Sequence, residues 1–438
     1  MKLVKQNSHN FNCKCNYVSP GEAAQLVKSN NLIITGHSNG SPREFIKALV
    51  KRHEELRNVV ITHVRVEGEA EYLEPCYSKS FFHNACMLGP NSRKAMCDGR
   101  ADYIPNRYWE MPRLMKDGYV KPDIALLQLS PPDSYGYCSY GICTSYLPTA
   151  AKMAKITIGE INSKVPSTSG SRIHISDLDY IIESDYPLYE SISPILGEVE
   201  FKIGKNVASL IEDGSTLQLG IGGIPNAILS CLKDHKDIGI HTEMFGDGIV
   251  DLLKRGVITG RKKSLHPCKV IATFVMGSKI LFDFLNDNPI AEFHEVSYTN
   301  NPQVIAENCK FIAINSAIEV DVTGQICAES IGSTLFTGVG GQLDFALGAS
   351  LAKGGKFVIA MPSTAGRGKF SRIVANLKKG AGVTTPRTLA DYVVTEYGIA
   401  ELRGKNMSQR AKALLEICHP NFRKEIEREA MERNDIKI

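Results

Sequence analysis

The sequence predicts an α/β protein made of two similar open domains, each built on a mainly parallel sheet. Three observations support this. One pattern occurs twice along the chain. Each copy is followed by a second short apolar run of strand character. The length of 438 residues leaves room for two or three domains, each large enough to bury its own core.

The repeated pattern sets the element order. Residues 20–50 read PGEAAQLVKSNNLIITGHSNGSPREFIKALV, and residues 197–233 read GEVEFKIGKNVASLIEDGSTLQLGIGGIPNAILSCLK. Both give an amphipathic helix, a polar turn, a short apolar strand, a Gly-rich turn ending in Pro, and another helix. The strands fall at 32–35 and 216–219, and the turns at 36–42 and 220–225. Second strands follow at 59–62 and 238–241. Strand–helix–strand units of this kind build parallel sheets with right-handed crossovers. The stretch 183–199, with two prolines and mixed polarity, is the expected boundary. It divides the chain into domains at 1–190 and 191–438. The tail from Met407 to Lys437 reads as helical, ending in the charged amphipathic run FRKEIEREAMER on the surface.

Composition narrows the class of function. The chain is 43% hydrophobic and 22% charged, with a net charge of only +4. Its basic residues are dispersed, so no nucleic-acid partner is expected. The twelve cysteines form no C-x-x-C and no Cys/His spacing of a zinc site, so reduced thiols and no metal are expected. Cys13 and Cys15 are one residue apart, and Cys138 and Cys143 share a Gly/Tyr/Ser loop. The N-terminus lacks the apolar core of a signal peptide, and no run of about 18 apolar residues marks a membrane span. A cytoplasmic protein without a membrane partner is the expectation.

Ligands of open parallel sheets bind beyond the carboxyl ends of the strands, so the turns after strands hold the candidates. Gly220, Ile221, Gly222, Gly223, Ile224 and Pro225 follow a strand and open a helix. Glycines admit a close ligand, and a helix N-terminus favours an anion. The same turn can also be a bare strand–helix connection. Glu243, in HTEMFGDG at the end of the neighbouring strand, is an acid held near that turn. It can serve as base, nucleophile or sugar ligand, or be a solvated loop carboxylate. The run from Thr337 to Gln342, with Gly338, Gly340 and Gly341, can form an anion nest, an oxyanion hole or a tight turn. Gly36-His-Ser-Asn-Gly40 matches G-x-S-x-G, but the turn continues through Ser41-Pro42 before its helix, unlike a nucleophile elbow. Ser130 to Gly141 can line an acyl pocket or form an ordered loop. A dinucleotide site would end in Gly where this chain has Pro225, yet Glu243 stands at a fitting distance for a ribose. A NAD-dependent oxidoreductase therefore remains open on spacing.

Several longer motifs together resemble one family. These are SPPDSYGYCSYG, SLIEDGSTLQLGIGGIPNAILSCL, GIHTEMFGDGIVDL, VDVTGQICAESIG, FTGVGGQLDF, AMPSTAGRGKFSRIV and VTTPRTLADYVVTEYGIAELRGK. Over nearly the whole chain the sequence resembles the acetyl-CoA hydrolase/transferase family, most closely its 4-hydroxybutyrate and butyryl-CoA:acetate CoA-transferase branch. The resemblance implies the duplicated CoA-transferase fold and CoA transfer between short-chain acids by ping-pong chemistry through a glutamyl-CoA thioester. It implies Glu243 as the nucleophile and Gly341 as an oxyanion donor that also contacts CoA. Gly220, Ile221, Gly222, Gly223, Ile224 and Ile318 become CoA contacts. Two departures stand out: Ser316 replaces an Ala before Ile318, and GHSNGSP replaces the family's GHA-type turn. The implied partners are acyl-CoA and short-chain carboxylic acids, with coenzyme A as substrate rather than a permanently bound cofactor. A homodimer or higher homo-oligomer is implied as well. Arg367, Lys369 and Arg372 are candidate partners for CoA phosphates, or a solvated basic loop. An acyl-CoA hydrolase on the same scaffold, a CoA-binding module without turnover, and a serine esterase on Ser38 are the rival readings.

Overall fold

The computed structural model describes residues 16–191, 195–433 and 436–437. Cys13 and Cys15 lie outside the described residues. The chain forms two compact units. The first contains residues 16–106, Glu110–Ser191 and Ala272–Ser297. The second contains Arg107–Trp109, residues 195–271 and the described residues from Tyr298 onward. Three residues of the first half of the sequence thus belong to the second unit.

The first unit is built on an eight-stranded sheet. Its strands are β1 (Asn16–Tyr17), β2 (Leu32–Thr35), β3 (Val59–His63), β4 (Phe81–Ala85), β5 (Ala101–Tyr103), β6 (Ile124–Leu129), β7 (Ile156–Asn162) and β8 (Tyr180–Ser184). They lie in the order β1-β8-β7-β6-β2-β3-β4-β5, and every pairing is parallel. Every residue of β6 is buried. A strand covered on both faces needs apolar side chains on both, which is why it reads IALLQL rather than as an alternation. The core combines Ile33, Ile61, Leu126 and Ile158 of the sheet with Phe45 and Leu49 of helix α1 (Arg43–Val50).

The second unit repeats the plan. Its strands are β9 (Thr216–Gln218), β10 (Gly239–His241), β11 (Val270–Ala272), β12 (Phe311–Asn315), β13 (Lys356–Ala360), β14 (Tyr392–Thr395) and β15 (Gly398–Glu401). Their order is β15-β14-β13-β12-β9-β10-β11. All pair in parallel except β14 with β15. In both units the first strand of the repeated pattern sits where the strand order reverses: β2 lies between β3 and β6, and β9 lies between β10 and β12. Two similar, mainly parallel α/β units are therefore observed.

Helices α2 (Glu198–Ala208) and α3 (Gly223–Ser230) flank the first strand of this unit in sequence and pack against each other, and α2 also packs against β13, β14 and β15. The Glu200 carboxylate folds back to accept from the Gly197 N–H at 3.0 Å, which closes the start of α2. Gly204 is the contact point between the two helices: a Cβ there would lie 2.8 Å from the Ala227 carbonyl carbon. Helix α3 begins at Gly223, three residues earlier than a turn ending in Pro225 implies. Proline needs no N–H in the first helical turn, so Pro225 fits inside the helix instead of preceding it. Helices α4 (Asp247–Lys254) and α5 (Gln342–Leu351) follow, and Phe345 of α5 stacks on Phe311 with centroids 6.1 Å apart. The tail is helical as two segments, α6 (Met407–Glu416) and α7 (Pro420–Met431), and α7 buries Ile426 and Ala430.

Because Gly204 meets backbone rather than a yielding side chain, Gly204→Leu should force α2 and α3 apart. Overpacking of this kind costs about 1–3 kcal/mol, so the urea midpoint should fall. An unchanged midpoint would show that the helices can separate freely.

Candidate active site

The second unit gathers its polar side chains at the carboxyl ends of β9, β10 and β12. Thr242, just past β10, is fully buried. Its N–H donates to the Ile271 carbonyl at 2.9 Å. Its hydroxyl donates to the Leu219 carbonyl at 2.9 Å and accepts from the Leu219 N–H at 3.3 Å. One threonine therefore ties the ends of β9, β10 and β11 together. Gly220 and Glu243 are the next residues on the two strands, so the candidate turn and the candidate acid lie side by side.

Two links then hold Asn300 to this strand end. Buried His241 bonds through Nε2 to the Thr299 carbonyl at 2.7 Å. A carbonyl only accepts, so Nε2 carries the proton. Beside it, Asn300 donates from Nδ2 to Oε2 of Glu243 at 2.7 Å. Gly341 completes the enclosure. It is the N-cap of α5, and a Cβ added there would collide with the Glu243 carboxylate and the Asn300 amide. Glycine is required here for close approach, not for its φ of −92°.

This enclosure changes the acid. Glu243 keeps some exposed surface, but its carboxyl is packed deeply. Burial pushes its pKa up to about 7, against the opposing effect of the Asn300 bond. The group thus converts between neutral and charged forms near neutral pH. A second carboxyl belongs to the same cluster. Asp344, on the first turn of α5, is completely buried, and burial raises its pKa well above the usual range. The Trp109 N–H donates to its Oδ2 at 3.1 Å, and the Tyr108 N–H donates to the Gly340 carbonyl at 3.2 Å. The three-residue segment 107–109 is therefore part of this site.

Next to the cluster lies an open cleft of about 310 Å³ at the point where the strand order reverses. It is lined by Gly220, Ile221, Gly223, Ile224 and Pro225, by Ile314 to Ser316 at the end of β12, and by Ala360 and Glu200. Gly222 has a φ of +114° and faces open space, as does Gly220. Only glycine adopts that conformation without strain, and neither position is filled by a neighbour. Ile318 stands two residues beyond Ser316, half-buried, with its N–H on the Cys327 carbonyl at 2.8 Å. Arg372 donates to the Ala317 carbonyl at 2.7 Å. Arg367 and Lys369 are exposed on the turn joining Thr364–Ala365 to Phe370–Ser371.

The remaining sequence candidates lie in the first unit. Ser38 is only 3% exposed, which closes it to an ester substrate. Its neighbour His37 lies 2.9 Å from the Ser38 hydroxyl through Nδ1 and 2.6 Å from Ser145 through Nε2. Burial pushes the His37 pKa down to about 3, so the ring is neutral. The Ser130–Gly141 stretch is an ordered loop. Tyr137–Ser139 pairs antiparallel with Arg172–His174, and Arg172 bonds Asp133 at 2.8 Å. The described cysteines are all free thiols. Among the described residues no group of three or more His, Cys, Asp or Glu is placed to hold a metal, and no helix is long and apolar enough to cross a membrane.

Duplicated parallel sheets, a cleft at the strand reversal, and a buried glutamate against a glycine at a helix start define an α/β protein with one candidate active site in its second unit. Comparison with known proteins identifies its kind. Residues 1–192 match the acetyl-CoA hydrolase/transferase N-terminal domain, and residues 277–430 match the acetyl-CoA hydrolase/transferase C-terminal domain. The chain is 48% identical to the 4-hydroxybutyrate coenzyme A transferase of Clostridium kluyveri, over 95% of this chain and 97% of that one. It is 38% identical to the butyryl-CoA:acetate CoA-transferase of Anaerostipes caccae, over 93% and 94% respectively. The crystal structure of 4-hydroxybutyrate CoA-transferase from Porphyromonas gingivalis superposes with a TM-score of 0.82 at 40% identity, covering 95% of this chain and 98% of that one. RipA from Yersinia pestis gives a TM-score of 0.90 at 32% identity, covering 95% and 97%. The chain belongs to the acetyl-CoA hydrolase/transferase family and is an enzyme of the CoA-transferase type.

Two predictions follow the geometry. Gly341→Ala should push the Glu243 carboxylate aside. A displacement of about 1 Å costs roughly 100-fold in rate, so kcat should drop by about that factor while the fold, followed by circular dichroism, persists. The second prediction concerns stability. The folded pKa of Glu243, about 7, lies above its ordinary value of 4.5, so ionisation opposes folding. The penalty is absent below pH 4.5, grows up to pH 7 and is constant above. Glu243→Gln should therefore raise the thermal midpoint at pH 8, by roughly 1–3 kcal/mol of stability, and leave it nearly unchanged at pH 5. An equal effect at both pH values would contradict a buried, titrating carboxyl.

Proposed function

We propose that the enzyme moves coenzyme A between short-chain carboxylic acids of the 4-hydroxybutyrate, butyrate and acetate type, with Glu243 as covalent carrier. The observation that carries this reading is the Glu243 carboxylate, buried and held through Oε2 by Asn300, next to a glycine-lined cleft. The names of the relatives in Clostridium and Anaerostipes support the choice of acids.

The chemistry has four steps. Oε1 of Glu243 attacks the thioester carbonyl, and the C–S bond breaks to give an acyl-glutamyl anhydride and CoA thiolate. The thiolate attacks the glutamyl carbonyl, forming glutamyl-CoA and expelling the first acid as its carboxylate. The second carboxylate attacks glutamyl-CoA and releases thiolate again. The thiolate then takes the new acyl group, and Glu243 returns as a carboxylate. Covalent catalysis divides one difficult exchange into easier parts. A carboxylate is a weak nucleophile, and burial helps it by raising its basicity and removing its hydration. Each tetrahedral oxyanion needs a donor. The Gly341 N–H at the start of α5 is assigned that role, worth about 3–4 kcal/mol for a single donor in other enzymes. Gly220 to Ile224 and Ile318 are assigned to CoA, and Arg367 and Lys369 to its phosphates. In this reading residues 191–438 carry the catalytic glutamate and the CoA site. The enzyme works in the cytoplasm as a homodimer or higher homo-oligomer, without a resident cofactor.

Initial rates measured at varied acyl-CoA and acid concentrations test the proposal. Parallel double-reciprocal lines are expected, with CoA transferred to the added acid. The kcat/KM should rise with pH through about 7 and then level, because only ionised Glu243 attacks. Release of CoA at the full rate without any second acid would assign the enzyme as a hydrolase instead.

A further inference from the structure

One polar pair at the cleft is not used by those four steps. Gln218 ends β9 and Asn315 ends β12, on paired strands at the point where the strand order reverses. Asn315 lines the cleft and is half-buried, and Gln218 is only 5% exposed. Asn315 Nδ2 donates to Gln218 Oε1 at 2.9 Å. Among the described residues, nothing pairs with the other two amide atoms, Gln218 Nε2 and Asn315 Oδ1. Neither of them is sealed inside the protein. The pair therefore offers an incoming ligand one donor and one acceptor. Turning both amides over exchanges the two roles but leaves one of each.

This chemistry selects among ligand groups. A phosphate or carboxylate only accepts, so the amide oxygen repels it. A thioester carbonyl also only accepts. A single trans amide points its N–H and its carbonyl to opposite sides, so it satisfies one atom of the pair. Two amides in succession satisfy both, through the N–H of one and the carbonyl of the next, as an extended strand does along its edge. The pantetheine arm of coenzyme A has two amides in succession, between the nucleotide and the thioester. Adenine also presents a donor and an acceptor on one edge, but it lies at the end of CoA farthest from the reacting sulfur. The pair sits close to the reacting end. Leu219, the residue after Gln218, is bonded to the Thr242 hydroxyl, and Glu243 follows Thr242.

On the reading that places CoA in the Gly220 cleft, we propose that Gln218 and Asn315 recognise its pantetheine arm. The free acceptor of the pair takes the N–H of one pantetheine amide, and the free donor holds the carbonyl of the next. Their mutual bond sets the spacing of the two groups before the ligand arrives, so little freedom is lost on binding. Both residues touch the substrate away from the bonds that break and form. They add selection for an amide-bearing carrier to a cleft whose glycines supply room and backbone N–H groups.

The test compares variants across substrates, with acetate as acceptor. Asn315→Leu and Gln218→Met keep side-chain size and remove the polar atoms. Each should lower kcat/KM for butyryl-CoA by roughly tenfold. Butyryl-pantetheine, which keeps the arm and lacks the nucleotide, should lose the same factor. The butyryl ethanethiol ester, which has no amide, should lose nothing. Equal losses on all three substrates would overturn the proposal, since they are the mark of a merely structural pair. So would a loss on butyryl-CoA that is absent on butyryl-pantetheine, which would assign the pair to adenine. If Gln218→Met fails to fold by circular dichroism, Asn315→Leu, at the half-buried position, decides alone. Gly220→Leu separates this inference from the reading it builds on, because it fills open space in the cleft. If Gly220→Leu weakens the binding of free CoA, measured by calorimetry, while both amide variants bind it as the wild type does, the pair has no part in a genuine CoA cleft. If all three variants bind CoA as the wild type does, the cleft reading fails and the proposal fails with it.

Discussion

The second unit is organised around one constraint. A carboxyl is packed away from water there, yet its pKa lies near neutral pH. Burial alone would keep Glu243 neutral. The single donated bond from Asn300 works in the opposite direction, and the pKa comes to rest at about 7. Much of the surrounding structure serves that balance. Thr242 aligns the strand ends, His241 fixes the backbone before Asn300, and Gly341 permits contact that any side chain would prevent.

The same constraint explains why the site draws on distant parts of the sequence. Glu243 follows β10, Asn300 precedes β12, Gly341 and Asp344 open α5, and Trp109 comes from the first half of the chain. A parallel sheet brings strand ends together whatever their separation in sequence, so each loop can contribute one group. The cleft beside them lies at the strand reversal for the same reason. There the connections leave in opposite directions and open a gap, and Gly220 and Gly222 leave it unfilled.

Much of this was legible in the sequence. The two apolar runs LIIT and TLQ, each before a Gly-rich turn, located β2 and β9. Those runs are buried on both faces and cannot be mistaken for surface segments. Glu243 and Gly341 were readable because long motifs surround them. Asn300 was not, since it stands in a polar stretch, NNPQ, with no periodicity or spacing to single it out. Asp344 was written inside GVGGQLDF, but an acid in a first helical turn ordinarily reads as a favourable surface charge. It is fully buried and accepts from the Trp109 N–H, 235 residues away in sequence. Pro225 misled by its type: it suggested the end of a turn but lies inside a helix. The G-x-S-x-G match misled for a different reason. Ser38 is enclosed with His37 and Ser145, which a sequence pattern cannot register.

The most direct test of the whole account is mass spectrometry of the enzyme after incubation with acyl-CoA and reduction by borohydride. The account predicts that the peptide containing Glu243 is modified at that residue, with its carboxyl reduced to the alcohol, and that Glu243→Gln is unmodified. An active preparation in which Glu243 stays unmodified, or in which the label falls on another residue, would contradict it.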